Sequence, residues 1–200
     1  MDHRVDVGRA RELLDLDRRL TQVPSSAQIR GFIFKMTADE VARHGPAAVA
    51  TYRRLTPVRS TWFFRMYSLR DYLEDAAAGA TAVNPADPKS VIRRIWRTMP
   101  NYAPMFNAQR FLSLLSASPR DVFRWIEGQR DMFYRYGGWR LERREENYLV
   151  LHYFDEYVWI DAAHRGGCEG VLDACSVTGS VEVDVDSPFN GRSHIRWQTR

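Results

Sequence analysis

Three residues able to ligate zinc, His164, Cys168 and Cys175, follow one another at spacings of four and seven. On a continuous helix those spacings share one face. A structural zinc site needs a fourth ligand, and no CxxC or HxxxH pair elsewhere supplies it. Gly166-Gly167 also disturb the helical phase. The competing reading is a core-facing cysteine pair, since free cysteine is among the most buried residue types, and it takes precedence. On one helix the two thiols would stand with Cα atoms about 10 Å apart, too far for a disulfide.

His152 lies in an apolar run close to Asp155 and Glu156. A base with a carboxylate is half of a nucleophilic site, but no Ser or Cys stands beside it in a recognisable context. A histidine in such a strand is read first as packed and hydrogen-bonded. Asp184-x-Asp186 has the spacing of a magnesium-binding pair, yet both acids face out of an alternating strand, where charge also protects an edge. Gly137-Gly138 and Gly166-Gly167 are too short for a phosphate-cradling loop and lack its lysine.

A larger set is aromatic. Trp62, Phe64, Trp96, Tyr102, Phe106, Trp125 and Phe133 are interleaved with Arg65, Arg93, Arg94, Arg97, Arg110, Arg124 and Arg135. Such residues stack on nucleobases with charge on phosphate, line a hydrophobic cavity among helices, or fill a core beneath solvated arginines. The core reading comes first, the cavity second and nucleic acid third.

The elements that would position these residues are legible in outline. Residues 1–20 read as an amphipathic helix and 21–28 as a linker, followed by one α+β domain over 29–200. Ile29–Phe34 looks like a buried strand. Thr37-Ala38-Asp39-Glu40 fits a capping box, and Gly45-Pro46 closes that helix and opens another through Leu55. Ser68 starts a helix that Gly79 would end. Residues 89–99 carry the apolar stripe Val91, Ile92, Ile95, Trp96 and Met99. Phe111, Leu112, Leu114 and Leu115 mark a further helix, and Ser118-Pro119-Arg120-Asp121 caps another that runs towards Tyr136. The period then changes from helix to strand. Trp139, Leu141 and Arg143 alternate with charges, and Tyr148–Phe154 is a central strand. Residues 157–176 form a helix. Val181, Val183 and Val185 alternate with acids, and a turn at 187–191 leads to a strand from Ser193 to Gln198. The expected architecture is α+β: an N-terminal helical portion, then a ββαββ antiparallel sheet covered by helices.

Bulk composition bounds the function classes. Of 200 residues, 44% are hydrophobic and 12% aromatic, enough for a core. No apolar run reaches the roughly 20 residues of a membrane span, and the N-terminus lacks a signal-peptide core, so a cytoplasmic location is expected. The net charge of +4 comes almost wholly from arginine, since Lys35 and Lys89 are the only lysines. That basic balance raises the case for an anionic partner without establishing one.

The segment order, with RGFIF (30–34), YLVLHYF (148–154), GCEGVLDACSVTGSVEVDVD (167–186) and SHIRW (193–197), resembles a family of paralogous myxobacterial proteins of unknown function. Its members share an early "RG-F-F" strand, a "G-hydrophobic-L-x-A" helix (here Gly170–Ala174) and a closing strand with a tryptophan (here Trp197). The chain is also similar to the wider group of haem-NO-binding and 4-vinyl-reductase-type domains. That resemblance implies helices over a small antiparallel sheet and a small hydrophobic ligand. The group's haem-binding members use an axial histidine and a Tyr-x-Ser-x-Arg motif. Here no histidine lies between His44 and His152, Tyr67-Ser68-Leu69-Arg70 has the wrong spacing, and the cysteines are too few for the relatives' metal cluster. The expectation is a scaffold without cofactor: a non-enzymatic sensory or regulatory module for a small apolar ligand or a protein partner, open to homodimerisation. The alternative is a nucleic-acid-binding regulator using its Arg and aromatic surface.

Overall fold

Gly31 decides how the first long helix begins. In the computed structural model, which describes residues 7–57, 60–102 and 118–198, strand β1 (Gln28–Arg30) stops there and helix α3 (Phe32–Arg43) starts at once. A Cβ on Gly31 would lie 2.1 Å from the carbonyl oxygen of Trp62, so only glycine admits that close approach. The strand expected through Phe34 is therefore mostly helix, and a short apolar run does not distinguish the two. Nor does Thr37 cap a helix: it is buried in the middle of α3.

The chain forms two compact units, Met1–Ile95 and Trp96–Arg200. In the first, helices α1 (Val7–Leu13) and α2 (Leu16–Gln22) replace the single helix expected, because Asp15 between them turns left-handed at φ 50°. Helix α4 (Pro46–Leu55) opens on Gly45-Pro46 as expected. Strand β2 (Met66–Ser68) pairs antiparallel with β1, Ile29 opposite Tyr67. Helix α5 (Leu69–Val83) is the centre of this unit and packs on α1, α2, α3 and α4. Ser68 caps it by accepting from the Arg70 amide. Gly79 does not end it. A Cβ there would meet the Thr37 methyl at 2.4 Å, so this glycine sets how closely α5 approaches α3. Helix α6 (Pro88–Arg97) carries the boundary between the units.

The second unit opens, among the described residues, with a 3-10 turn at Met99–Asn101. Helix α7 (Pro119–Gly128) has the cap read from the sequence, with Ser118 accepting from the Asp121 amide and Pro119 in its first turn. It ends earlier than expected, giving way to a 3-10 turn (Arg130–Met132) and the short strand β3 (Tyr134–Arg135). The ββαββ unit follows as read: β4 (Gly138–Glu145), β5 (Tyr148–Phe154), a π-turn (Ile160–His164) continuing into α8 (Arg165–Ala174), then β6 (Gly179–Ser187) and β7 (Asn190–Trp197). All pairings are antiparallel, in the order β4-β5-β7-β6. Leu141 faces Leu151, Leu149 faces Ile195 and Val181 faces Ile195. Residues of α7 and α8 close over this inner face, with Val122, Phe123, Val171 and Leu172 packed on Leu149, Leu151, Tyr153, Ile195 and Trp197. The other face carries charge pairs, Arg192 with Asp186 and Arg196 with Glu182. The second acid of the Asp184-x-Asp186 motif is thus paired with arginine, and the first with His194 at 3.0 Å.

Among the described residues no helix is long and apolar enough to cross a membrane.

Candidate functional site

The most chemically loaded place in the second unit is an aromatic box around a buried histidine–carboxylate pair. Glu156 follows β5 and His164 ends the π-turn, and both are sealed from solvent. His164 Nε2 stands 3.2 Å from Glu156 Oε2, off the line of a hydrogen bond. The Trp139 indole donates to the same oxygen at 2.8 Å, and the Glu156 amide donates to the Phe189 carbonyl. Tyr153 stacks on the imidazole at 4.4 Å, while Trp139 and Trp96 meet it at 5.2 and 5.5 Å. The Arg130 guanidinium lies over both Tyr136 and Trp139 at 5.8 Å.

Burial alone would raise the Glu156 carboxyl. Attraction to His164 at 3.2 Å, together with the hydrogen bond from Trp139 and the nearby Arg130 guanidinium, outweighs it and holds the group below its ordinary range. The Tyr153 hydroxyl sits 3.0 Å from Ser193 Oγ and 3.7 Å from Cys168 Sγ. Burial pushes the Cys168 thiol up to about 12, so at neutral pH it stays protonated and is a poor nucleophile.

Against one wall of the box is a small apolar cavity of about 20 Å³, lined by Trp96, Met99, Phe123, Tyr153, His164 and Val171 among others. It has room for roughly one water-sized group. A buried pair with no polar substrate-sized space can hold charge and position rings; it gives a substrate no access.

The residues singled out in the sequence fare differently. Trp96 lines the cavity, Phe133 is buried, Trp125 packs on the core from a partly buried position and Tyr102 is half-buried. Trp62 and Phe64 stand exposed, at 75% and 58%. Phe106 lies outside the described residues, as do Phe111, Leu112, Leu114 and Leu115. His164, Cys168 and Cys175 are all buried. Among the described residues, no three His, Cys, Asp or Glu side chains are placed to hold a metal, and the two cysteines form no disulfide. The His152 dyad is corrected by the strand pleat. His152 points to the outer face, where its Nε2 meets Glu142 at 2.9 Å, while Glu156 belongs to His164. Sequence reasoning missed that pairing because a π-turn, not a regular repeat, brings the two together.

No protein-family model matches the sequence, and neither does any curated protein. Solved structures do. The Fe(II) unliganded H-NOX protein from K. algicida superposes with a TM-score of 0.68 at 12% identity, over 86% of this chain and 98% of that one. The H-NOX protein from S. oneidensis in the Fe(II)NO ligation state gives 0.66 at 12% identity, over 86% of this chain and all of that one. The IWP-051-bound H-NOX from Shewanella woodyi in the Fe(II)CO ligation state gives 0.65 at 12% identity, over 85% and 95%. The chain has the H-NOX fold.

An H-NOX fold raises the question of haem, and the donors here do not fit it. In each of the four described histidines Nε2 faces a carboxylate: His44 with Glu40, His152 with Glu142, His164 with Glu156 and His194 with Asp184. The cavity beside His164 is far too small for a porphyrin. Among the described residues the H-NOX fold carries no histidine whose Nε2 stands clear of a carboxylate.

Proposed function

We propose that this chain is a non-enzymatic sensory or regulatory module, and that its ligand is a small apolar molecule, diatomic or of similar size, in the cavity of the second unit. The observation that carries this reading is that cavity, apolar and set against the His164 ring. An occupant there touches Trp96, Met99 and His164, so it can bias the π-turn and the helix that follows it. The H-NOX fold supports a sensory role, and the RGFIF, GVLDA and closing-Trp patterns support kinship with the paralogous myxobacterial proteins. A cytoplasmic location and a protein partner that reads the ligand state belong to the same proposal. The nucleic-acid alternative has less support, because Arg144, Arg192 and Arg196 on the outer sheet face are paired with Glu142, Asp186 and Glu182.

Xenon under moderate pressure tests the proposal. Saturable shifts of the Trp96 and Trp139 indole NMR signals are expected. Gly167→Ala should weaken them, since its new Cβ would stand 3.8 Å from the Trp96 ring and narrow the cavity without a clash. Shifts confined to surface residues, or unchanged by that substitution, would overturn it.

A further inference from the structure

The first unit holds a second candidate site, unrelated to the aromatic box. An open cleft of about 440 Å³ lies over α3, α4 and α5, within the roughly 300–1,000 Å³ of small-molecule sites. Its wall includes Tyr52, Thr56 and Asp75. Asp75, on α5, is wholly buried. Its Oδ1 accepts from the Tyr52 hydroxyl and from Thr56 Oγ1, each at 2.6 Å. Its Oδ2 has no hydrogen-bond donor, and neither does the nearby Thr37 Oγ1 have a partner.

The groups acting on this carboxylate are hydroxyls: Thr56 and Tyr52 from the α4 side, Thr37 from α3. Tyr72, on its own helix, adds a further phenol to that neighbourhood. The cleft also carries two cations, Lys35, whose Nζ lies 2.8 Å from both oxygens of Asp39, and Arg53; neither is among the groups acting on Asp75. Among the described residues no cation contacts this carboxylate, and a buried carboxylate held only by hydroxyls is costly unless something supplies the charge. The geometry points to the Asp75 cleft as a binding site for a small molecule carrying a primary ammonium group, which donates to the buried, unpartnered Oδ2 while Tyr52 and Thr56 hold Oδ1. Burial pushes the Asp75 carboxyl up to about 6, the direction expected of an acid whose counter-ion is missing. The close contact of Gly79 with Thr37 one turn further on fixes α5 against α3, so the carboxylate is held in place before a ligand arrives.

The probe is n-butylammonium, with n-butanol and butyrate as neutral and anionic controls, titrated calorimetrically into the whole chain. Saturable binding of the ammonium alone is expected, weakened at least tenfold in Asp75→Asn. Near pH 6 the ligand should also expel a fraction of a proton, read from buffers of differing ionisation enthalpy, because a cation favours ionised Asp75. At pH 8 no proton should be released. The proton count is made on the unaltered protein, so it decides the matter even where Asp75→Asn fails to fold. Equal binding of butanol or butyrate, full affinity in a folded Asp75→Asn, binding without proton release at pH 6, or no saturation at tens of millimolar would each overturn the assignment.

Discussion

Asp75 in the first unit and Glu156 in the second are both sealed from solvent, and their surroundings drive them in opposite directions. Asp75 receives two short hydrogen bonds from neutral hydroxyls, yet burial prevails and lifts its carboxyl to about 6. Glu156 is equally buried but faces His164 and the Trp139 indole, and its carboxyl falls below the ordinary value. Hydroxyls alone do not offset the loss of water around a charge; the imidazole at 3.2 Å, the indole N–H and the nearby Arg130 guanidinium together do. The contrast separates a completed site from an open one.

Removing one partner of the completed pair breaks the comparison most severely. Glu156→Ala leaves His164 buried without its carboxylate and should cost about 3–5 kcal/mol, read as a lower urea midpoint for the second unit with the slope unchanged. His164→Phe with Glu156→Leu, which removes both partners, should restore most of that loss. If the single change proves harmless, the pair contributes nothing to the fold.

The second comparison is with pH. Asp75 has a folded pKa raised above its ordinary 3.8, so its contribution is fully present below pH 3.8 and is lost as pH rises through about 6. Between pH 6 and 4 the first unit should gain about 2 kcal/mol, and Asp75→Asn should flatten that window. Glu156 runs the other way: its lowered pKa gives stability above its ordinary 4.5, lost as pH falls through the folded value. Amide exchange followed unit by unit separates the two. A rise and a fall in the same unit would contradict the assignment.

A smaller effect concerns the frame that holds Asp75. Gly79→Ala drives a methyl into Thr37 and should cost about 1–3 kcal/mol, despite the better helix propensity of alanine. Thr37→Ser in the same chain removes the obstructing methyl and should recover most of it, as measured by thermal unfolding.

These contrasts also show what the sequence could and could not announce. Val181 and Val183 alternate with acids because one face of the sheet is buried there and the other is wet, and Val185 keeps the period although it is exposed, so β6 was legible from its period. Ser118-Pro119 and Gly45-Pro46 were legible because the backbone demands of a helix start are local. Gly79 was not, since a glycine that ends a helix and one that admits a neighbouring helix look alike in one dimension. The run Ile29–Phe34 was apolar for either a strand or a buried helix. Asp75 sits among alanines in a regular helix, and only Tyr52 and Thr56 at the end of α4 and Thr37 on α3 surround it with hydroxyls. Glu40 was read as a cap, yet it is the buried acceptor for Arg43 and Arg94, with His44 beside it.

The π-turn at Ile160–His164 carries one residue more per hydrogen-bonded turn than an α-helix, with the His164 amide reaching back to the Trp159 carbonyl. That extra residue acts as a spacer in the chain's reading frame. Deleting one residue between Asp161 and Ala163 would let the turn relax to an ordinary helix and rotate everything upstream by about 100° relative to α8. Cys168, Val171 and Leu172 could stay on the sheet only by turning Glu156 away from His164, or the pair could stay only by lifting α8. Length here is as constrained as composition: relatives of this chain should vary freely in the identity of residue 161, which is half-exposed, while never losing the position itself.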